Sequence, residues 1–209
     1  MGLVIAVDGP GGSGKGTICK YASKILGFPY LDTGLLYRAV AAKLIRFTDS
    51  ISKDKAVDIA SSIMPEDLNE TSLRHPKIAD WASQVSSIPE VRQKLFKYQV
   101  DFSNNPAGAI LDGRDIGTHI CPNADLKFFI TAKLETRARR RWMELSKENP
   151  LELFEKVMKD LAARDHRDKS RKSNPLIKAE DALLIDTSEL TIDASVDLFV
   201  EAVNKKLND

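Results

Sequence analysis

A glycine-rich loop, Gly9-Pro10-Gly11-Gly12-Ser13-Gly14-Lys15-Gly16-Thr17, directly follows the short apolar run Leu3-Val4-Ile5-Ala6-Val7. A run of small and β-prone apolar residues predicts a buried strand of a parallel sheet. The residues from Thr17 to Leu26 follow a helical pattern that Gly27 ends. A strand, a glycine loop with a lysine and a helix together predict a phosphate-binding loop. There, backbone N–H groups and the helix N-terminus bind phosphate oxygens, and Lys15 reaches the outer phosphates.

Position 16 departs from the common form of such a loop. A metal-binding Ser or Thr usually follows the lysine, whereas here Gly16 follows Lys15 and Thr17 comes next. The Gly-Lys-Gly-Thr form resembles that of the nucleoside monophosphate kinases, in which Mg²⁺ is held largely through water and the bound nucleotide. A simple turn between strand and helix needs neither the lysine nor so many glycines, so we interpret the loop as a nucleotide site.

The composition describes one globular domain of ordinary size. The chain has 209 residues, of which 43% are hydrophobic and 29% are charged, and its formal net charge is +1. Such a balance gives no overall attraction to nucleic acid or to a membrane. Cys19 and Cys121 form no CxxC pair, which argues against a zinc site and favours a reducing compartment. No apolar stretch is long enough to span a membrane, so we expect a cytoplasmic protein.

Short apolar runs alternate with helical patterns along the chain. This alternation predicts an α/β fold with a doubly wound parallel sheet, whose ligands gather at the carboxyl ends of the strands. The glycine loop, the turn at Asp32 and the residue Asp112 are expected on that edge. Beyond the first strand, we predict strands at 28–31, 109–111, 126–130 and 183–185. Helices are predicted at 35–45, 53–63, 76–86, 89–102, 135–147, 151–171 and 193–207.

Polar residues cluster where the strand at 109–111 ends, in Asp112-Gly113-Arg114-Asp115. An acidic residue that ends a buried strand beside a phosphate loop can hold Mg²⁺, usually through water. Asp112 alone is equally consistent with a turn cap. The neighbouring Arg114 and Asp115 favour a site.

One predicted helix carries Arg137, Arg140 and Arg141 within a single face, while Arg139 points elsewhere. Such a row is consistent with a solvated basic surface. It is also consistent with guanidinium groups that clamp a phosphate during its transfer. The spacing of the arginines leaves both interpretations open.

The next helix places Arg164, Asp168 and Arg171 at i, i+4 and i+7, along one stripe. An ordinary surface ion pair has the same spacing and contributes little to stability. The same stripe suits a ribose, gripped by the carboxylate, and a phosphate, bound by an arginine. Again the spacing does not decide between the two.

Taken together, these motifs resemble those of the bacterial cytidylate kinases, which phosphorylate CMP and dCMP with ATP. The similarity extends over nearly the whole chain. It is carried by residues 9–17, 31–38, 82–86, 89–92, 112–118, 137–141 and 164–171.

The resemblance implies a role for each matching residue. Residues Gly9, Pro10, Gly11, Gly12, Ser13, Gly14, Lys15, Gly16 and Thr17 are expected to bind ATP, with Mg²⁺ near Thr17 and Asp112 through water. The groups implied in catalysis are Lys15, Arg137, Arg140, Arg141 and Arg171. The implied substrate site has Ser83, Arg92 and Asp115 at the cytosine, Arg164 and Asp168 at the ribose, and Arg38, Arg114 and Arg171 at the CMP phosphate. Thr33 and Tyr37 complete that site.

The implied base contacts agree with the chemistry of cytosine, which presents an amino donor beside two acceptors. A carboxylate with an arginine and a serine complements that edge. Uracil presents a carbonyl where the carboxylate of Asp115 expects a donor. The site is therefore expected to prefer cytosine.

The resemblance also divides the domain into three parts and implies a monomer. These are a core at about 1–36, 108–136 and 174–209, a nucleoside-monophosphate-binding insertion at about 37–107, and arginine-rich lid helices at about 137–173. In the family this insertion includes a small sheet, which is cut short here between Met64 and Ser72. The lid is expected to close over the phosphates and to exclude water.

The expected reaction is direct in-line transfer of the ATP γ-phosphoryl group to CMP. The CMP phosphate is already nucleophilic at neutral pH, so the protein mainly positions two anions and neutralises charge. One alternative is another small P-loop kinase, for adenylate, another nucleotide or a small metabolite. A second is a nucleic-acid-binding P-loop protein, against which the low net charge and the interleaved Asp165 and Asp168 argue.

Overall fold

The computed structural model describes residues 2–69, 71–147 and 149–208, with their side chains except those of residues 71 and 74. Within this part of the chain, five parallel strands form one sheet in the order β2-β3-β1-β4-β5. The predicted α/β parallel sheet is therefore confirmed. The strands are β1 Val4–Asp8, β2 Tyr30–Asp32, β3 Ala109–Gly113, β4 Leu126–Thr131 and β5 Leu183–Asp186.

The helices lie close to the predicted segments, with differences at their ends. Those that surround the sheet or extend from it are α1 Lys15–Leu26, α2 Thr33–Ile45, α3 Lys53–Ala60, α4 Pro76–Val85, α5 Pro89–Ser103, α6 Leu134–Leu145, α7 Phe154–Ser170 and α8 Ile192–Asn208. The helix predicted to reach residue 63 ends at Ala60. The one predicted from residue 151 begins at Phe154. A π-helical turn, Ile116–Ile120, follows β3 and was not predicted.

Strand β1 is buried on both faces, and its side chains alternate between them. Ile5 and Val7 pack toward α1 and α8, in a cluster where Phe128 stacks on Phe199 with ring centroids 4.2 Å apart. Ala6 faces the other side of the sheet. Because α1 packs directly against this sheet, the loop between β1 and α1 is held at a fixed place on the sheet edge.

Two groups of helices carry apolar clusters of their own. Helices α2 to α5 enclose one cluster, which includes Leu36, Trp81 and Leu95. Helices α6 and α7 enclose a smaller one around Ala138 and Leu161. Each group therefore has an apolar cluster of its own, although Leu68 and Tyr98, which pack against the first cluster, also pack against the sheet cluster that contains Leu111.

The segment between residues 64 and 72, where the sequence predicted a shortened insertion, contains the 3₁₀ turn Pro65–Asn69. Residue 70 of this segment lies outside the described residues. A second 3₁₀ turn, Thr71–Arg74, leads into α4. Of the helices that the structure describes, none combines the length and apolar character that crossing a membrane requires.

Candidate active site

The glycine loop adopts a backbone that side chains would obstruct. Gly9 has φ 153°, and a Cβ atom there would lie 2.0 Å from the carbonyl oxygen of Ile130. Gly14 has φ 87° and caps the N-terminus of α1. Glycine adopts positive φ without the penalty that other residues meet. The loop therefore curls around the first turn of α1, where free N–H groups can meet an anion.

Lys15 and Asp112 meet beside this loop. The Nζ atom of Lys15 lies 3.4 Å from Oδ1 of Asp112. The hydroxyl of Tyr30 donates to Oδ2 of Asp112 at 3.1 Å, and the hydroxyl of Thr33 donates to the Asp112 carbonyl at 2.8 Å. Burial raises the pKa of Asp112, and the charge of Lys15 opposes that rise. Burial and the nearby Arg114 lower the pKa of Lys15.

Gly16, the departure from the common loop, has a packing reason in this arrangement. A Cβ atom at Gly16 would lie 3.2 Å from Oδ2 of Asp112 and 3.5 Å from the hydroxyl of Tyr30. The side chain of a serine or threonine at position 16 would therefore press against the Asp112 carboxylate and the Tyr30 hydroxyl. The close approach of the Asp112 carboxylate therefore favours glycine at this position.

A group of arginines and one carboxylate faces the loop from α7 and the end of β3. Nε of Arg114 donates to Oδ2 of Asp168 at 2.8 Å, and Nε of Arg164 lies 3.9 Å from the same oxygen. A Cβ atom built on Gly11 would lie 3.7 Å from Nη2 of Arg114 and 3.9 Å from Cδ of Arg164. The fold thus brings the arginine cluster next to the phosphate-binding loop.

The charges in this cluster shift each other's pKa values. Burial by itself would raise the pKa of Asp168, but Arg114 and Arg164 outweigh burial and hold that pKa below its usual value. Burial and the neighbouring Arg114 lower the pKa of Arg164 to about 10. Two buried guanidinium groups share one carboxylate here, so the cluster retains positive charge for an anion.

A second buried ion pair lies further from the loop. Arg92 donates from Nη2 to Oδ2 of Asp115, and its Nη1 donates to the Ser86 carbonyl at 3.3 Å. Arg171 approaches the other oxygen of Asp115 at 3.5 Å. The ring of Tyr37 lies under the guanidinium of Arg92, 5.5 Å from its centre. This group offers both a charged donor and a carboxylate acceptor on one wall of the cleft.

Two other residues expected at the substrate contact neighbouring helices. Arg38 donates from Nη1 to the Leu73 carbonyl at 2.8 Å. The buried hydroxyl of Ser83 accepts a hydrogen bond from Nε of Arg167 at 3.2 Å. Sequence reasoning missed Arg167, because this residue lies off the stripe formed by Arg164, Asp168 and Arg171.

The arginines Arg137, Arg140 and Arg141 share one face of α6 but have different surroundings. Arg137 is buried, and its guanidinium donates to the Ala132 carbonyl at 2.9 Å, the Gly11 carbonyl at 3.1 Å and Asp165 Oδ2 at 2.6 Å. Arg137 therefore ties the glycine loop to α6 and α7. Arg141 is partly exposed and pairs with Glu144 at 2.9 Å.

Arg140 binds the residue that follows β5, which sequence reasoning also missed. Its Nη1 and Nη2 donate to the hydroxyl and the carbonyl of Thr187 at 3.0 and 2.6 Å. The Thr187 hydroxyl in turn lies 2.8 Å from the Ser13 carbonyl. Thr187 thus links an arginine of α6 to the glycine loop. A single threonine after a strand gives no signal of this role in the sequence.

Asp8, at the end of β1, is a further residue that the sequence did not single out. Its two carboxylate oxygens accept from the N–H groups of Ile116 and Gly117, both at 2.8 Å. Burial raises the pKa of Asp8 to about 7 in spite of these two hydrogen bonds. The carboxyl group of Asp8 therefore holds the π-helical turn that follows Asp115 against the start of the glycine loop.

The oxygen atoms near Lys15 suit a hard cation such as Mg²⁺. The carboxylate of the buried Asp112 lies beside Lys15, and the hydroxyl of Thr17, which is exposed in the first turn of α1, is a second candidate oxygen. Among the described residues, no group of three or more His, Cys, Asp or Glu side chains converges on a single metal position. Such a site fits an ion that is held mostly by water and phosphate oxygens rather than by a protein cage.

Comparisons with known proteins agree with this geometry. Residues 5–205 match the family model described as cytidylate kinase. A protein named cytidylate kinase from Cereibacter sphaeroides (strain KD131) is 45% identical over 203 residues, which cover 97% of this chain and 96% of that protein. Another with the same name, from Desulfitobacterium hafniense, is 39% identical over 219 residues and covers 98% and 94% of the two chains.

One solved structure supports the fold alone. It is that of an uncharacterized protein from Eubacterium ventriosum, which is 12% identical to this chain. The superposition has a TM-score of 0.58 and covers 98% of this chain and 99% of the other. Such a low identity carries no information about substrates.

Proposed function

The chain belongs to the cytidylate kinase family and phosphorylates CMP and dCMP with ATP, and on that premise we propose how its residues divide this work. The glycine loop binds the phosphates of ATP. The arginine cluster of α7 and β3 binds the CMP phosphate. The observation that carries this division is the approach of Arg114 to Gly11, with a Cβ built on Gly11 only 3.7 Å from Nη2 of Arg114.

The reaction is an in-line transfer that needs close, correctly oriented anions. Lys15 and the N-terminus of α1 stabilise negative charge on the donor, and Arg114 and Arg171 do so on the acceptor. No strong base is required, because the CMP phosphate is nucleophilic when ionised. The main tasks of the protein are therefore to overcome the repulsion between two phosphates and to fix their geometry.

Mg²⁺ is the metal we propose for this site, held near Thr17 and through water by Asp112. When bound, it neutralises charge on the phosphates of ATP. Asp112 itself keeps Lys15 in place beside the loop, at 3.4 Å. Because Gly16 has no side chain, it leaves room for Asp112 beside Lys15.

The base is read by Asp115, Arg92 and Ser83. Asp115 accepts from the amino group of cytosine, while Arg92 and Ser83 serve its acceptors. Arg171 supports Asp115 from the other side at 3.5 Å. Uracil would bring a carbonyl against the Asp115 carboxylate, which is unfavourable in a buried site. Asp168, with Arg164, is the proposed ribose contact.

The two helical groups are the proposed moving parts. The acceptor-binding insertion, at about 37–107, contains α3 to α5 and all but the first turn of α2. The lid, at about 137–173, contains α7 and all but the first turn of α6. The separate apolar clusters of these groups support the division. Arg140 and Arg141 act on the phosphates from the lid, whereas Arg137 joins the lid to the loop.

We further propose that the enzyme is a cytoplasmic monomer. Cys19 and Cys121 are both free thiols, in keeping with a reducing compartment.

An acceptor panel tests this proposal. ADP release is measured with ATP and each of CMP, dCMP, UMP and AMP, at matched concentrations. We expect CMP and dCMP to be the best acceptors, with UMP and AMP lower by at least about a hundredfold in kcat/KM, as expected when buried polar groups are left unpaired. Faster turnover of AMP than of CMP would contradict the assignment of Asp115 and Arg92 to the base.

A further inference from the structure

The proposed base contacts leave one property of Ser83 undetermined, namely the direction of its hydroxyl proton. Ser83 lies on α4 and is only 4% exposed. A serine hydroxyl can donate or accept, and it rotates to suit its neighbours. By itself it would therefore bind either an acceptor or a donor on a base.

Arg167 restricts this freedom, because it occupies one of the two lone pairs of the Ser83 hydroxyl oxygen. Its Nε atom donates to the Ser83 hydroxyl oxygen at 3.2 Å, and a guanidinium group has no acceptor to offer in return. Within the part of the chain that the structure describes, Arg167 is the hydrogen-bond partner of this hydroxyl. The oxygen accepts from Arg167, so the single proton of Ser83 points to another group.

Arg167 is itself held in this orientation. Its Nη2 atom donates to Oδ1 of Asp80 at 3.0 Å, and Oδ2 of Asp80 accepts from Nε2 of Gln84 at 2.9 Å. An exposed ion pair of this kind contributes little to stability. Here the ion pair fixes the orientation of Arg167. Asp80 and Ser83 lie one turn apart on α4, so both accept hydrogen bonds from the same guanidinium group.

We infer that Arg167 is a positioning residue that fixes the Ser83 hydroxyl as a donor toward the ring nitrogen of cytosine. The inference rests on the proposed contact between Ser83 and the base. Uracil carries an N–H group at the same ring position, and this group would have to share the Ser83 oxygen with the positively charged Arg167, so the arrangement disfavours uracil. Arg167 also ties base recognition to α7, the helix that carries Arg164 and Asp168.

A double-mutant cycle tests this inference. Arg167→Met, Ser83→Ala and the combined variant are compared with the unaltered enzyme, with kcat and KM measured for CMP, UMP and ATP. We expect each single change to raise the CMP KM by about threefold to tenfold, the range that one hydrogen bond supplies. The preference for CMP over UMP should fall by a similar factor, and the ATP KM should stay within about twofold.

The combined variant carries the decisive result. If Arg167 acts through the Ser83 hydroxyl, the double variant is no worse than Ser83→Ala alone, because the two changes remove the same contact. Additive effects of the two changes on the CMP KM would overturn the inference. Arg167 would then be only a structural contact between α4 and α7.

Two further variants separate positioning from simple charge. Lys169→Met removes a positive charge from an exposed position on the same helix, and its CMP and UMP constants should match those of the unaltered enzyme. Arg167→Lys should recover only part of the selectivity, since one ammonium group cannot reproduce the planar two-pronged contact with Ser83 and Asp80. Full selectivity in Arg167→Met, with normal thermal unfolding, would overturn the inference.

The Ser83→Ala variant distinguishes this inference from the proposed function. An unchanged CMP KM in that variant would remove Ser83 from the base site, and the inference about Arg167 with it. The acceptor panel would then still show whether the enzyme prefers CMP. A raised KM for Ser83→Ala with additive behaviour in the cycle would instead leave the base contact intact and contradict only the role of Arg167.

Discussion

The donor loop and the acceptor cluster are built in opposite ways. The loop is one continuous segment, Gly9–Thr17, whose shape follows from its glycines and from the start of α1. The acceptor cluster joins side chains from α5, β3, the following turn and α7, among them Arg92, Arg114 and Asp168. We propose that the loop binds anions largely through backbone N–H groups and the cluster through arginines paired with carboxylates.

Because of this difference, substitutions in the donor loop and in the acceptor cluster should have different effects. Removing the Lys15 charge leaves the glycine backbone of the loop in place, and its partner Asp112, whose pKa burial already raises, can take up a proton; we therefore expect mainly a loss of rate. Removing one carboxylate from the cluster leaves a buried guanidinium without its partner, so we expect weaker substrate binding together with lower stability.

Lys15→Ala should have the largest effect on catalysis. The change removes the only charged side chain of the loop Gly9–Thr17, which we propose contacts the outer phosphates of ATP, and we expect kcat to fall roughly a hundredfold to a thousandfold. Steady-state kinetics with CMP measure this loss. Lys20→Ala, at an exposed position of the same helix, is the matched control. Near-normal turnover of Lys15→Ala would refute its role.

Asp8 directly precedes the glycine loop and binds the turn that follows Asp115. Its buried carboxyl group should make the stability of the protein depend on pH. Its pKa in the folded protein is about 7, above the usual 3.8, because burial disfavours the charged form and Asp115 and Asp112 add to that effect. The folded state therefore binds a proton that the unfolded state has lost between these two pH values. The resulting stabilisation is complete below about pH 4 and is lost as the pH rises through about 7, with a limit of about 4 kcal/mol.

Chemical denaturation of the enzyme and of Asp8→Asn across pH 4 to 8 measures this term. The asparagine also loses one hydrogen bond, but that loss does not depend on pH, so the slopes are compared rather than the absolute values. We expect the stability of the unaltered enzyme to fall relative to the variant as the pH rises. Parallel curves would contradict a neutral, buried Asp8.

Asp168→Ala should affect the acceptor side alone. We expect the KM for CMP to rise about tenfold, because the change removes the proposed ribose contact and leaves Arg114 and Arg164 to rearrange. The KM for ATP should change little. Asp160→Ala on the same helix, at an exposed position, is the control. An unchanged CMP KM would return Asp168 to a purely structural ion pair.

Gly16→Ala should have the smallest effect and shows how far the loop depends on distant residues. The added Cβ atom would lie 3.2 Å from Asp112 Oδ2, so the carboxylate beside Lys15 must shift by a few tenths of an ångström. We expect kcat to fall by about threefold to tenfold. Thermal stability should not fall, since alanine favours a helix over glycine by about 1 kcal/mol. Unchanged kinetics would show that the loop tolerates this shift.

Most of the fold could be read from local sequence patterns. The run before Gly9 and the other short apolar runs predict strands that the structure confirms, with ends that differ by one or two residues. The π-helical turn Ile116–Ile120 could not be predicted in this way. It depends on the carboxylate of Asp8, which lies more than a hundred positions earlier in the chain and accepts from its first two N–H groups.

The candidate site follows the same division. Lys15, Asp112 and the stripe of Arg164, Asp168 and Arg171 are visible as spacing because each belongs to one strand end or one helix. No local sequence pattern identifies Thr187 or Arg167, because their roles depend on contacts to Ser13 and Ser83 on other elements.

Local sequence patterns were enough to predict a phosphate-binding loop, an α/β sheet and a resemblance to kinases of CMP, because glycine conformation and apolar periodicity act over a few residues. Only the tertiary structure decided which charges meet. It placed Arg137 on the loop backbone rather than at a surface, and it brought Asp112 so close to Gly16 that an added Cβ atom would lie only 3.2 Å from its carboxylate. Pairing between distant charges depends on how the sheet and helices pack, which no local pattern records.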